Sequence, residues 1–149
     1  MKALRNQTLR AETFFDRISE EQSFYKYADG KWTVKEILQH VIDTERIFCY
    51  RALAIARKEI ATLPSFDEHK YGANSFANQR SWNDLTEEFK VVRQASILLF
   101  NSFTNENLQR SGNVSDYQMS VLAIGYTIAG HVSHHMNIIR ERYHDINIP

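Results

Sequence analysis

TVKEILQHVIDTERIFCYRALAIAR, residues 33–57, decides the fold class. Thr33 and Glu36, three residues apart, form a capping box at its start. Ile37, Val41, Thr44, Phe48, Ala52 and Ile55 then recur every three or four positions. That spacing lays one apolar stripe along a helix of about 25 residues. Working outward, the same period predicts a helix from about Leu4 to Ile18, with Leu4, Leu9, Phe14, Phe15 and Ile18. A third helix starts near Ser81, with Asp84 three residues on, and carries Leu85, Phe89, Val92, Leu99 and Phe103 to about residue 104. A fourth runs from Ser120 to about Tyr143, with Val121, Ile124, Ile128, Val132 and Ile139 on its stripe. Arg140 and Arg142 sit near its end, where cations suit the helix dipole.

The composition agrees. The 149 residues include 5 Gly and 2 Pro, well below the usual combined share of roughly 12%. A β-sandwich or barrel needs a turn every 8–12 residues and the glycine and proline to make them, so an all-α chain of a few long helices is expected. Gly30, Gly72 and Gly112 fall one in each gap between helices, and Pro64 lies in the middle gap. Gly125 and Gly130 break the pattern by lying inside the fourth helix, either for close helix packing or to leave room beside a site. The middle connection, residues 58–80, is long enough to be a crossover, letting the second and third helices run in the same direction. Residues 1–149 contain no repeat or linker and read as a single four-helix-bundle domain.

Lys and Arg together number 18, as do Asp and Glu. Without a basic stripe, the footprint of a nucleic-acid binder is missing. No stretch of 18 apolar residues and no apolar signal segment near Met1 occurs, so the expectation is a cytoplasmic protein with no membrane partner. The single cysteine, Cys49, excludes an intrachain disulfide and reads as a small apolar helix residue.

The six histidines are unevenly placed. GHVSHH, residues 130–135, puts His131 and His135 one turn apart on one helical face, with His135 near the centre of the apolar stripe, His131 just beside it and His134 turned toward its edge. Two imidazoles so placed either stack and hydrogen-bond or share a metal ion at roughly 2.0–2.1 Å. His40, on the shoulder of the second helix's stripe, is the candidate third ligand. Three neutral imidazoles suit one divalent ion, Zn, Ni or Fe, with an open position for chemistry. His69 and His144 read as solvated. Asp43, Glu45 and Arg51 read as a solvated face or intrahelical ion pairs, with a role around the site as the alternative. The HExxH motif, a di-iron carboxylate pattern, a P-loop, a dinucleotide fingerprint and a nucleophile elbow are all absent. No general base or other catalytic residue is legible.

Trp32 to Arg46, Leu63-Pro64-Ser65-Phe66-Asp67, and Ala129-Gly130-His131 to His135 with Ile138 to Tyr143 resemble the DinB-like superfamily over nearly the whole chain. The resemblance implies an up-down-down-up four-helix bundle with a long crossover between helices 2 and 3, usually a homodimer, with a divalent metal on His40, His131 and His135. It also implies an enzyme type: thiol-dependent S-transferases, which use low-molecular-weight thiols such as bacillithiol or mycothiol, and a mycothiol-dependent maleylpyruvate isomerase. The expected function is therefore metal-activated attack of a thiol or water on a small electrophile. The competing expectation is a non-catalytic metal-binding or dimerisation bundle whose site is vestigial.

Overall fold

The computed structural model describes residues 2–143, with side chains from residue 4 onward. His144 therefore lies outside the described residues. Four long helices carry the architecture: α1 (Lys2–Phe15), α3 (Val34–Ala56), α5 (Trp82–Asn101) and α7 (Val121–Arg142). Between them lie α2 (Glu20–Ser23), α4 (Glu68–Ala73), a 3-10 turn at Ala77–Gln79, α6 (Asn105–Gln109), and a hairpin of β1 (Ser111–Val114) and β2 (Tyr117–Ser120). The start signals hold to the residue. Thr33, Ser81 and Ser120 each cap a long helix by accepting from the backbone N–H three residues on, and Thr33 and Glu36 form both halves of the capping box.

Side-chain contacts fix the directions. Gln39 meets Arg80, Glu45 meets Arg93 and Cys49 meets Ser96, so α3 and α5 run parallel. His40 meets His135 while Phe48 meets His131, so α3 and α7 are antiparallel. Gln7 reaches Met136, and Arg140 lies over Phe14, which makes α1 and α7 parallel. The bundle is up-down-down-up, and the crossover between α3 and α5 permits it.

Two apolar clusters form the core. Phe14, Phe15, Ile37, Leu38, Trp82, Phe89, Val132 and Ile139 pack at one end, and Leu4, Ile55, Phe100, Val121, Ile124 and Ile128 at the other. A polar layer from α1, α3 and α5, with Gln7, Thr44, Glu45, Arg93 and Ser96 buried, separates them. Its centre is Arg93, 0% exposed, which donates to Glu45 at 2.8, 2.9 and 3.1 Å and to the Gln7 amide oxygen at 2.7 Å. Glu45 thus belongs neither to a solvated face nor to an intrahelical pair; its partner lies 48 residues away.

The hairpin replaces an expected loop. Its register pairs Ser111 with Ser120 and Val114 with Tyr117. Leu63 pins the crossover to it, donating to the Asn113 carbonyl and accepting from Ser115 N–H, each at 2.9 Å. Gly112 is required here, because a Cβ would stand 2.7 Å from Ile55 Cγ1. Gly72, expected in a loop, lies within α4, where an added Cβ would stand 3.3 Å from the Trp32 indole. Among the described residues, no helix is long and apolar enough to cross a membrane.

Candidate metal centre

His131 and His135 lie one turn apart on α7, and the antiparallel packing of α3 brings His40 against both rings. His40 Nε2 lies 3.1 Å from His131 Nε2, and His135 Nε2 lies 3.1 Å from the same atom. One ring nitrogen of each of the three residues falls within 4.8 Å of the others. His40 is buried, and the other two are half-buried on the flank of the α7 stripe. Val132 and Met136 fill the core-facing positions, so His135 borders the stripe rather than occupying its centre.

The donor chemistry tests whether an ion fits. An imidazole nitrogen carries either one N–H or one in-plane lone pair. His131 Nε2 has two nitrogen neighbours at hydrogen-bond distance and cannot satisfy both well in any tautomer. Three lone pairs aimed at one cation resolve this. Tetrahedral Zn–N bonds of roughly 2.0–2.1 Å place neighbouring nitrogens about 3.3 Å apart, close to the observed spacing. The rings are also neutral, as ligands must be. Burial, reinforced by the neighbouring imidazoles, lowers His131 to about 4 and His135 to about 3. Burial likewise lowers His40, against the opposing charge of Glu68. With Nε2 as ligand, His40 Nδ1–H faces the Thr44 hydroxyl at 3.4 Å, a hydrogen bond that orients the ring.

The surroundings are aromatic. Trp32, just before the α3 cap, lies 4.9 Å from the His40 ring and 5.8 Å from His69, centroid to centroid. Phe48, two turns along α3, lies 6.5 Å from His131. His69 is exposed, as expected, yet the crossover holds it against Trp32 at the rim. His134 is exposed beside His135. Asp43, half-buried, accepts from Gln39 Nε2 at 2.9 Å, and burial raises its pKa. Arg51, expected on a solvated face or in an intrahelical ion pair, is instead buried and donates to the Pro64 carbonyl at 2.6 Å. Trp32, Phe48 and Glu68 join the site only through tertiary packing, whereas Thr44 meets His40 one turn along α3. The helical spacing of Thr44 and Phe48 from His40 was the one signal available in the chain.

Gly130, next to His131, is exposed, and a Cβ there would meet no atom within 4 Å. Close helix packing is therefore not its reason. Cys49 is half-buried, donates to Ser96 Oγ at 3.1 Å, and is pushed up to about 11 by burial. That matches its expected role as an inert packing residue.

Comparison with known proteins places this geometry among relatives. The family model of the DinB superfamily matches residues 3–139. A protein of Oceanobacillus iheyensis named as a putative metal-dependent hydrolase is 21% identical over 141 residues, covering 94% of this chain and 81% of its own length. Among solved structures, YfiT from Bacillus subtilis, described as a probable metal-dependent hydrolase with an unusual four-helix bundle topology, is similar with a TM-score of 0.77. It is 16% identical, over 94% of this chain and 83% of that one. A mycothiol-dependent maleylpyruvate isomerase is similar with a TM-score of 0.76 at 9% identity, over 91% of this chain but 57% of that one. At these identities the structural likeness speaks for the fold.

Proposed function

The chain belongs to the DinB superfamily, and we propose that it is a metal-dependent enzyme in which His40, His131 and His135 hold one divalent ion, zinc or nickel. Its proposed reaction is transfer of a low-molecular-weight thiol to a small electrophile. The observation that carries this reading is the convergence of three neutral Nε2 atoms from two helices, with successive separations of 3.1 Å. The relatives named as metal-dependent hydrolases and the mycothiol-dependent isomerase support the metal and the thiol respectively.

When bound, the ion supplies positive charge that lowers the pKa of a thiol or water at its open position. The chain's own residues do the rest. Thr44 holds the His40 ring so that Nε2 faces the cluster. Trp32 and Phe48 set apolar surface beside His40 and His131. This lowers the local dielectric and strengthens charge interactions at the reacting centre. Three protein ligands leave a position open, whereas a structural zinc site is normally closed by four.

Hydrolysis, with water in place of the thiol, is the second reading, favoured by the names of the relatives. One assay separates them. The metal-loaded protein is offered a generic electrophile with and without a small thiol. Turnover only with thiol supports transfer, and turnover without it supports hydrolysis. Loss of either rate in folded His135→Ala places the cluster in the reaction, and an unchanged rate removes it. We further propose a homodimer as the active form. Leu9 and Leu98 line the groove between α1 and α5 and are 69% and 60% exposed. Sedimentation equilibrium giving the monomer mass at micromolar concentration would overturn this part.

A further inference from the structure

Four side chains of fixed charge are buried among the described residues: Lys35, Glu45, Arg51 and Arg93. Lys35 pairs with Glu20, and Glu45 with Arg93. Arg51 alone of the four has no carboxylate at ion-pair distance among the described residues, though it is only 6% exposed. From this unpaired charge and its position we infer that Arg51 is a carboxylate-binding residue, holding an acidic reactant beside the histidine cluster. The inference rests on the metal-centre reading above for what that reactant meets.

Position comes from helix geometry. Arg51 follows His40 by eleven residues, which at about 100° per residue returns it to within about 20° of the same face of α3. Phe48 links the two. Its ring lies 5.5 Å from the Arg51 guanidinium carbon and 6.5 Å from the His131 ring. The guanidinium thus stands one aromatic side chain away from the cluster. From the crossover, the Phe66 ring lies 5.8 Å from the same guanidinium carbon.

The guanidinium is also available. Nη2 donates to the Pro64 carbonyl, and Nε and Nη1 meet no acceptor among the described residues. No fully enclosed side-chain nitrogen among the described residues lacks a partner, so each of those two keeps some solvent contact, although the residue as a whole is only 6% exposed. Binding the crossover carbonyl and stacking on two rings needs a donor and a flat surface, not a charge. Burial accordingly pushes the Arg51 pKa down, with no anion opposing it. A single cation in an aromatic setting matches a single carboxylate, whose planar oxygens accept paired N–H donors.

The test uses 6-mercaptohexanoate and its neutral counterpart 6-mercaptohexanamide, flexible thiols that differ only in charge. Each is titrated calorimetrically into nickel-treated and metal-free protein, with nickel content measured in parallel. The variants are Arg51→Gln, which keeps a donor for the Pro64 carbonyl but removes the charge, and Arg51→Lys, which keeps the charge. The acid is expected to bind wild type at least about tenfold more tightly than the amide, as charge-assisted hydrogen bonds imply. Arg51→Gln should abolish the preference without changing nickel content, and Arg51→Lys should retain part of it. Equal affinities in wild type, or a preference that survives in Arg51→Gln, would overturn the inference. Absence of nickel binding, with the preference still present in metal-free protein, sinks the metal centre and leaves Arg51 standing. Full nickel binding without a preference does the reverse.

Discussion

Replacing Glu45 with alanine strands the guanidinium of Arg93, which is 0% exposed and has Glu45 as its only anionic partner among the described residues. Two estimates of the cost agree. A guanidinium and a carboxylate about 4 Å apart interact by about 4 kcal/mol at an effective dielectric near 20. Removing one partner of a buried pair costs about 3–5 kcal/mol in practice, because the remaining charge is left uncompensated. Gln7 contributes only a neutral amide oxygen at 2.7 Å and cannot replace the carboxylate. Urea unfolding followed by far-UV circular dichroism reads the effect. With a slope of about 2 kcal/mol per molar, the midpoint should fall by about 2 M. The double change Glu45→Leu with Arg93→Met removes both charges and should return to within about 2 kcal/mol of wild type. A fall below about 0.5 M for Glu45→Ala would refute the reasoning. So would a double variant as unstable as the single, since the loss would then be one of packing rather than charge.

Three further outcomes follow from single side chains. Cys49, pushed up to about 11 by burial, should react with iodoacetamide at pH 8 at least about a hundredfold more slowly than free cysteine, and about tenfold faster per pH unit; a rate within tenfold of free cysteine contradicts its burial. Gly130→Ala should stabilise the protein by about 0.5–1 kcal/mol, because α7 gains a better helix former where a Cβ meets nothing; a lower thermal midpoint would show that the added methyl is not accommodated. Tyr143, 2% exposed, donates to the Trp32 carbonyl at 2.8 Å, and burial raises it to about 12. The folded state holds this proton more tightly than the unfolded chain, so its contribution is whole below about pH 10 and declines as pH rises toward 12. Urea midpoints at pH 9–11 should show that decline in wild type but not in Tyr143→Phe, and equal slopes would contradict it.

The long helices were legible because their signals are local. The caps Thr33, Ser81 and Ser120 and the three-to-four spacing behind them lie within one turn of what they specify. The hairpin was not. Its strands have four residues each, and Val114 is their one buried side chain, so no alternation could appear. Short α2 and α6 carry capping boxes at Ser19 and Thr104 but end before a period can repeat. At the candidate centre, His131 and His135 could be paired by spacing. His40 joined them as the remaining helical histidine facing the bundle interior. The partners of Glu45 and Lys35 could not be read, since Arg93 and Glu20 lie on other helices. Arg51 was misplaced for the same reason: its burial depends on Pro64 and Phe66, which only the folded crossover brings to it.

The central claim is that His40, His131 and His135 form one metal centre, and metal stoichiometry tests it most directly. Protein loaded with zinc or nickel and freed of excess ion should carry one ion per chain by plasma mass spectrometry. His40→Ala, His131→Ala and His135→Ala should each fall to trace content with their helical circular dichroism intact. Sub-stoichiometric traces in wild type, or one ion per chain retained in all three variants, would contradict it.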